Sequence, residues 1–215
     1  MKKNIIFLLL GLAIMSGYKL NAQSKRILLL DEYTDGIVLM KNKSKISSKL
    51  NYDTANKKMM YMQNNQEMIL VNPNQVDTVY IEDRKFIPVQ LFFLEVIDAE
   101  NGTVLINWSL KQKYKGNKGA YGQITQNKVE TINTSHWTND EYKEQSTSVW
   151  ERENSNEYWF NINDKAIKCK STKDIIKQFP NHKEDINSFI KENKINFKNA
   201  SDAIKLVDYC LKLNN

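Results

Sequence analysis

Short apolar runs separated by turn-like polar stretches occupy the chain from about residue 27 to residue 110. Apolar runs of this length, some alternating with polar positions, are typical of antiparallel strands. No helical periodicity separates them, so the pattern predicts a meander that closes into a barrel or a sandwich. The predicted strands are residues 36–40, 45–52, 59–62, 68–71, 75–81, 85–88, 91–97 and 103–110.

Two connections in this region carry turn signals. Residues 63–66 read QNNQ between two apolar runs, which suits a hairpin. Asn101 and Gly102 form the dipeptide preferred at the centre of a type I′ turn, where both residues need a positive φ. The strand that follows alternates, with Val104 and Ile106 on one face, which indicates a half-buried strand.

Residues 111–156 are polar, and we expect loops there with further strands near residues 149–150 and 158–162, then a last strand at residues 166–169. The period becomes helical after residue 170. Ser171 is three residues before Asp174, close to a capping box, and Asn181 precedes Glu184 in a second start signal. A final helix is predicted to begin at residues 199–201.

The predicted fold class is therefore α+β. A β-rich domain over residues 23–170, with polar loops over residues 111–156, is followed by a short C-terminal helical tail over residues 171–215. The helices have narrow apolar faces, and short isolated helices are marginal in water, so we expect the tail to dock on the β domain.

The first 22 residues have the pattern of a secretory signal peptide. Lys2 and Lys3 precede an apolar run over residues 5–15, and Ala22 offers a small residue at a cleavage position. A membrane anchor would need roughly 20 apolar residues, and no later stretch is long and apolar enough to span a membrane. We expect an exported protein of the periplasm, the cell surface or the secreted fraction.

Export changes the interpretation of the charge. The whole chain has a formal charge of +6, and the loss of Lys2, Lys3 and Lys19 lowers it to about +3. A modest surplus of lysine on an exported protein does not indicate a nucleic-acid partner. Cys169 and Cys210 are the two cysteines, and in an oxidising compartment they could form a disulfide.

Several short segments resemble exported proteins of unknown activity from Bacteroidota-type bacteria. These are GIVLMKN from residue 36, LNYD from residue 50, RKFIP from residue 84, AYG from residue 120, and the tail segments QFPNHKEDINSFIKENKINFKN and LVDYCLKL. The resemblance covers most of the mature chain. It implies an envelope location and a β domain with a helical tail, and it implies no catalytic residue.

Recognisable catalytic chemistry is scarce. The chain has two histidines and no His-Glu-x-x-His motif, so neither a metal nor another cofactor is indicated. No Gly-x-Ser-x-Gly motif is present. The sequence favours a non-enzymatic binding protein. The alternative is a hydrolase with a carboxylate pair in the β domain, although the sequence does not select the pair.

Residues 113–123, KYKGNKGAYGQ, hold three of the seven glycines among lysines and tyrosines. The glycine spacing does not match a phosphate-binding loop, and we expect a flexible connection. Such a loop could contact an envelope protein, an anionic glycan or a lipid head group through flat aromatic rings and positive charge. The predicted contact residues are Tyr114, Lys115, Lys118 and Tyr121.

Overall fold

The computed structural model describes residues 27–118, 122–125, 148–163 and 165–214. The predicted signal segment lies outside these ranges, as does Tyr121. The strands are β1 (Thr34–Met40), β2 (Lys45–Asp53), β3 (Lys58–Gln63), β4 (Gln66–Ile69), β5 (Val76–Ile81), β6 (Arg84–Val89), β7 (Phe92–Ala99), β8 (Gly102–Asn107), β9 (Leu110–Lys118), β10 (Ile124–Thr125), β11 (Ser148–Asn154), β12 (Glu157–Ile162) and β13 (Lys165–Cys169). The helices are α1 (Thr172–Gln178), α2 (Lys183–Glu192) and α3 (Ala200–Asn214), with 3₁₀ turns at Pro73–Gln75 and Pro180–His182.

Ten strands form one antiparallel sheet in the order β13-β12-β8-β7-β6-β5-β1-β2-β3-β4. Most neighbours in the sheet are also neighbours in sequence, which confirms the predicted antiparallel, β-rich architecture with short C-terminal helices. Two pairings are not local, because β5 returns to pair with β1, and β12 returns to pair with β8. The sheet ends at β13 and β4 in the part of the chain described, so closure into a barrel or a sandwich stays a prediction.

The polar stretch after residue 110 contains a second sheet rather than loops alone. Strand β9 lies between β10 and β11 in this three-stranded sheet. The prediction of a loop at residues 113–118 is wrong, because these residues are part of β9 and pair with β11 or β10. Most of the β9 side chains that can be described are exposed, so this strand lacks the apolar alternation by which strands are recognised in sequence.

Two hydrophobic clusters form the core. One lies against β1, β2, β3, β5, β6 and β7 and includes Leu50, Tyr52 and Phe86. The other holds the three helices on β8, β12 and β13, around Val104, Ile106 and Leu206, as the alternation of β8 predicts. Partly buried Trp108 packs against both clusters.

A partly buried ion pair lies beside the tryptophan that joins the clusters. Arg84 donates to both carboxylate oxygens of Glu95, from Nε at 2.7 Å and from Nη2 at 2.6 Å, and Trp108 Nε1 donates to the same carboxylate. The guanidinium also lies over the rings of Phe86 and Trp108. Because every member has a partner, we interpret this group as a structural link between β6, β7 and the end of β8.

Local signals predicted some of the turns and caps correctly. Asn64 and Asn65 have φ of 50° and 58° in the β3–β4 hairpin, as a type I′ turn requires. Ser171 caps α1 by accepting from the Asp174 N–H. Asn199 Oδ1 accepts from the Ser201 N–H at 2.9 Å, so the predicted start of α3 is also confirmed.

Two local predictions are wrong. Ala99 pairs with Gly102, so the β7–β8 turn is Glu100-Asn101 rather than Asn101-Gly102, and Asn101 does not have a positive φ. Asp208 of α3 accepts from both the backbone N–H and the side-chain amide of Asn101, a tertiary contact that local turn preference does not include. Asn181 does not cap α2, because it lies within the 3₁₀ turn that begins at Pro180.

Candidate functional site

A polar cavity of about 520 Å³ lies where five connections of the chain meet. We call it the basic cleft. The connections are the β2–β3 turn, the β8–β9 connection, the β11–β12 connection, the β13–α1 connection and the segment before α3. Its lining is Lys57, Ser109, Lys111, Glu153, Asn154, Ser155, Asn156, Glu157, Lys170, Ser171, Thr172, Phe197 and Lys198.

Backbone hydrogen bonds hold these connections together. The Leu110 N–H donates to the Thr54 carbonyl at 3.2 Å, which ties the start of β9 to the β2–β3 turn. The Ser155 N–H donates to the Ser109 carbonyl at 2.8 Å, and Asn156 Oδ1 accepts from the Ser109 N–H at 2.9 Å. Main-chain hydrogen bonds and the side chain of Asn156 therefore hold the floor of the cleft in place.

Glu157 is the buried acid of the cleft, and three donors converge on it. Lys168 Nζ lies 2.8 Å and Asn107 Nδ2 lies 3.1 Å from Oε2, while Lys170 Nζ lies 2.6 Å from Oε1. Burial by itself would raise the pKa of Glu157, but the hydrogen bonds from Lys168, Lys170 and Asn107 outweigh it and lower the pKa to about 2. Glu157 is thus a fixed negative charge at neutral pH.

A second acid lies at the mouth of the cleft. Glu153 forms an ion pair with Lys198, and Asn154 Nδ2 donates to the Lys198 carbonyl at 3.3 Å. The hydrogen bond and the charge of Lys198 lower the pKa of Glu153, and the same contact raises the pKa of Lys198. These contacts join β11 to the segment before α3.

The lining has more positive than negative charge. Four lysines and two glutamates line the cleft, which leaves a surplus of two positive charges. Lys198 and Lys170 are paired with the two glutamates. The side chains of Lys57 and Lys111 have no hydrogen-bond or ion-pair partner within the described part of the chain. Their ammonium groups are available to an anion.

Several buried polar atoms are not satisfied in the lining of the cleft, at Asn156, and behind it, at Asn107 and Tyr158. Asn107 Oδ1, Asn156 Nδ2 and the Tyr158 hydroxyl have no hydrogen-bond partner among the residues that the structure describes. The Asn156 amide lies beside the Tyr158 hydroxyl without reaching hydrogen-bond geometry, and burial raises the pKa of Tyr158. Unsatisfied buried groups are costly, and they concentrate at sites where a ligand or water completes them.

A second hollow, of about 490 Å³, continues the cleft along the small sheet. It shares Glu153, Asn154 and Lys198 with the cleft, and it adds a basic ledge made of Lys113, Lys115, Glu151 and Arg152. Lys115 is paired with Glu151 at 2.5 Å. The ledge therefore extends the positive surface away from the cleft along β9 and β11.

Three of the four predicted contact residues, Tyr114, Lys115 and Lys118, lie on β9, the strand that carries part of the ledge. Lys115 lines the ledge, whereas Tyr114 is 41% exposed and lines neither hollow. Lys118 pairs with Ile124 at the far end of β9. Tyr121 is outside the described ranges, so its predicted contact remains a prediction.

Sequence reasoning predicted Lys115 as a contact residue, but it missed the strand pairing that places acids opposite the lysines of β9. Lys111, Lys113 and Lys115 alternate along β9, and Glu151 and Glu153 alternate along β11. Lys111 is directly opposite Glu153 and Lys113 is directly opposite Glu151. Complementary charges at every second position are a signal for two paired exposed strands, and this signal was available in the sequence.

The two cysteines are buried and are not joined in the structure. Burial raises the pKa of each thiol to about 12. Cys169 ends β13 and Cys210 lies on α3, within one hydrophobic cluster. The disulfide stays a prediction.

Comparison of the chain with protein-family models, curated proteins and solved structures finds no match. In the ranges that the structure describes, no three histidine, cysteine, aspartate or glutamate side chains are grouped so that they could hold a metal ion. None of the helices in those ranges is long and apolar enough to cross a membrane.

Proposed function

We propose that this chain is an exported envelope protein that acts by binding an anionic ligand in the basic cleft. The observation that carries the proposal is the pair Lys57 and Lys111, two lysines whose side chains have no partner in the described part of the chain, in a concave site with a rigid polar floor. Positive charge in a cleft attracts anions and raises their local concentration. Fixed donors on the floor give such a site its specificity.

Export is supported by the basic and apolar pattern of the first 22 residues. Mass spectrometry of the protein from the native envelope is expected to find a chain that starts within a residue or two of Gln23. An intact Met1 terminus on cytoplasmic protein would refute export.

Binding can be tested with defined probes on the mature chain. Polygalacturonate and vesicles that contain phosphatidylglycerol supply anionic groups, while dextran and phosphatidylcholine vesicles are the neutral counterparts. We expect binding of an anionic probe that weakens with salt, because screening shortens the reach of exposed charges. The double variant Lys57→Gln, Lys111→Gln should lose this binding, and Lys191→Gln, on the exposed side of α2, should not.

A hydrolase remains the second candidate, because Glu153 and Glu157 line the same cleft. Carboxylate catalysis of glycoside hydrolysis needs one acid with a raised pKa to protonate the leaving group. Both glutamates have lowered pKa values instead. Release of reducing ends from polygalacturonate by the wild type, and its loss in Glu157→Gln, would favour hydrolysis over simple binding.

A further inference from the structure

We propose that the basic cleft and the basic ledge form one elongated site for a linear carboxylated oligosaccharide, with one end in the cleft and the chain running along β9. This inference rests on the proposed function and adds the class and the direction of the ligand. The two hollows share Glu153, Asn154 and Lys198, so they adjoin along these residues.

The spacing of the charges favours a ligand with repeated anionic groups. Lys111 lines the cleft and Lys113 lines the ledge, two residues further along the same strand. Two residues of a strand span about 7 Å. A single small carboxylate would occupy one end of this row, whereas a chain with a carboxylate on each unit can meet the cations in turn. Repeated contacts on one chain also increase affinity through effective concentration.

The neutral part of the lining favours a sugar over a lipid head group. Ser109, Ser155, Thr172 and Asn156 bring hydroxyl and amide groups that suit the hydroxyls of a saccharide. Phe197 adds a partly buried ring, held edge-on against Tyr158 at 5.0 Å between centroids. None of the large apolar residues that are exposed in the described ranges lines either hollow. Binding at a membrane surface normally uses such apolar anchors.

The test measures heats of binding of mono-, tri- and hexagalacturonate to the mature chain, with maltohexaose as the neutral control. We expect hexagalacturonate to bind about tenfold more tightly than trigalacturonate, which corresponds to about 1.4 kcal/mol. The double variant Lys113→Gln, Lys115→Gln should reduce the ratio of the two affinities to about one. Lys111→Gln should weaken the binding of both oligomers, and Lys191→Gln should change the affinity for neither.

The outcomes separate this inference from the proposed function. Equal affinity for the trimer and the hexamer, with no effect of the ledge variant, would overturn the elongated site while leaving the cleft as an anion site. Cleft-dependent binding of phosphatidylglycerol vesicles without binding of galacturonates would show that the ligand is a lipid head group rather than a saccharide. Tight binding of a single-stranded oligonucleotide in preference to hexagalacturonate would also overturn the inference that the ligand is a saccharide. Absence of binding to every anionic probe would refute both proposals.

Discussion

Replacement of Glu157 by glutamine tests whether the floor of the basic cleft is held by charge. Glutamine keeps the shape of the side chain and can still accept from Asn107, but it removes the negative charge that Lys168 and Lys170 share. Glu157 is 7% exposed, so its carboxylate is largely shielded from water. The variant therefore isolates the electrostatic part of the network.

The magnitude follows from the pKa. A fall from 4.5 in an unperturbed glutamate to about 2 in the folded protein corresponds to about 3 kcal/mol of stabilisation at neutral pH. The lysines are 43% and 61% exposed, and solvent screens ion pairs to such groups, so we expect about 2 kcal/mol. For a chain of this size that loss lowers Tm by about 4–8 °C.

The pH dependence gives the sign of the effect. Because the folded pKa lies below the unfolded one, the stabilisation is complete above pH 4.5 and disappears as the pH falls towards about 2. Urea unfolding of the wild type and of Glu157→Gln, followed by tryptophan fluorescence, should show a difference at neutral pH that falls to about half or less near pH 3. The matched control is Glu100→Gln, an exposed glutamate in the β7–β8 turn.

Two results would refute this reasoning. A loss of stability that stays constant between neutral pH and pH 3 would show that the effect comes from packing rather than from charge. An effect of Glu157→Gln as small as that of Glu100→Gln would show that the ion pairs with Lys168 and Lys170 do not stabilise the folded protein.

Three further predictions concern the sheet, the thiols and the helices. Gly36→Ala should destabilise the protein by about 1–3 kcal/mol in urea unfolding, because its new methyl group would lie 2.5 Å from the Tyr80 carbonyl oxygen on the neighbouring strand. A neutral effect on stability would contradict this contact. Cys169 and Cys210 should resist iodoacetamide in the native protein at mildly alkaline pH, since buried thiols with a pKa of about 12 are protonated. Rapid labelling of the native protein, measured by mass spectrometry, would disprove their burial. Failure to label after unfolding would reveal a disulfide. A fragment of residues 171–215 should show little helix by circular dichroism, because the apolar faces of the helices pack on the sheet; a cooperative helical fragment would identify an independent domain.

Local patterns in the sequence predicted the elements that depend on local physics. Alternating burial in β8 follows from the two-residue period of a strand, which places Val104 and Ile106 on the core face. The Ser171 cap and the Asn64-Asn65 turn depend only on neighbouring backbone atoms, so they can be recognised from the local sequence whatever the rest of the fold. Strand β9 was missed because a sheet without a deep apolar face has no hydrophobic alternation.

The basic cleft was decided by tertiary structure alone. Its lining comes from segments as far apart as Lys57 and Lys198, and two non-local strand pairings, β5 with β1 and β12 with β8, order the sheet around it. Each lysine and glutamate there looks in sequence like an ordinary solvated charge. Glu157 gains its donors because β12 pairs with β8, which carries Asn107, and with β13, which carries Lys168 and ends just before Lys170. Periodicity determines which face of a strand is buried, but it does not determine the strand that lies beside it.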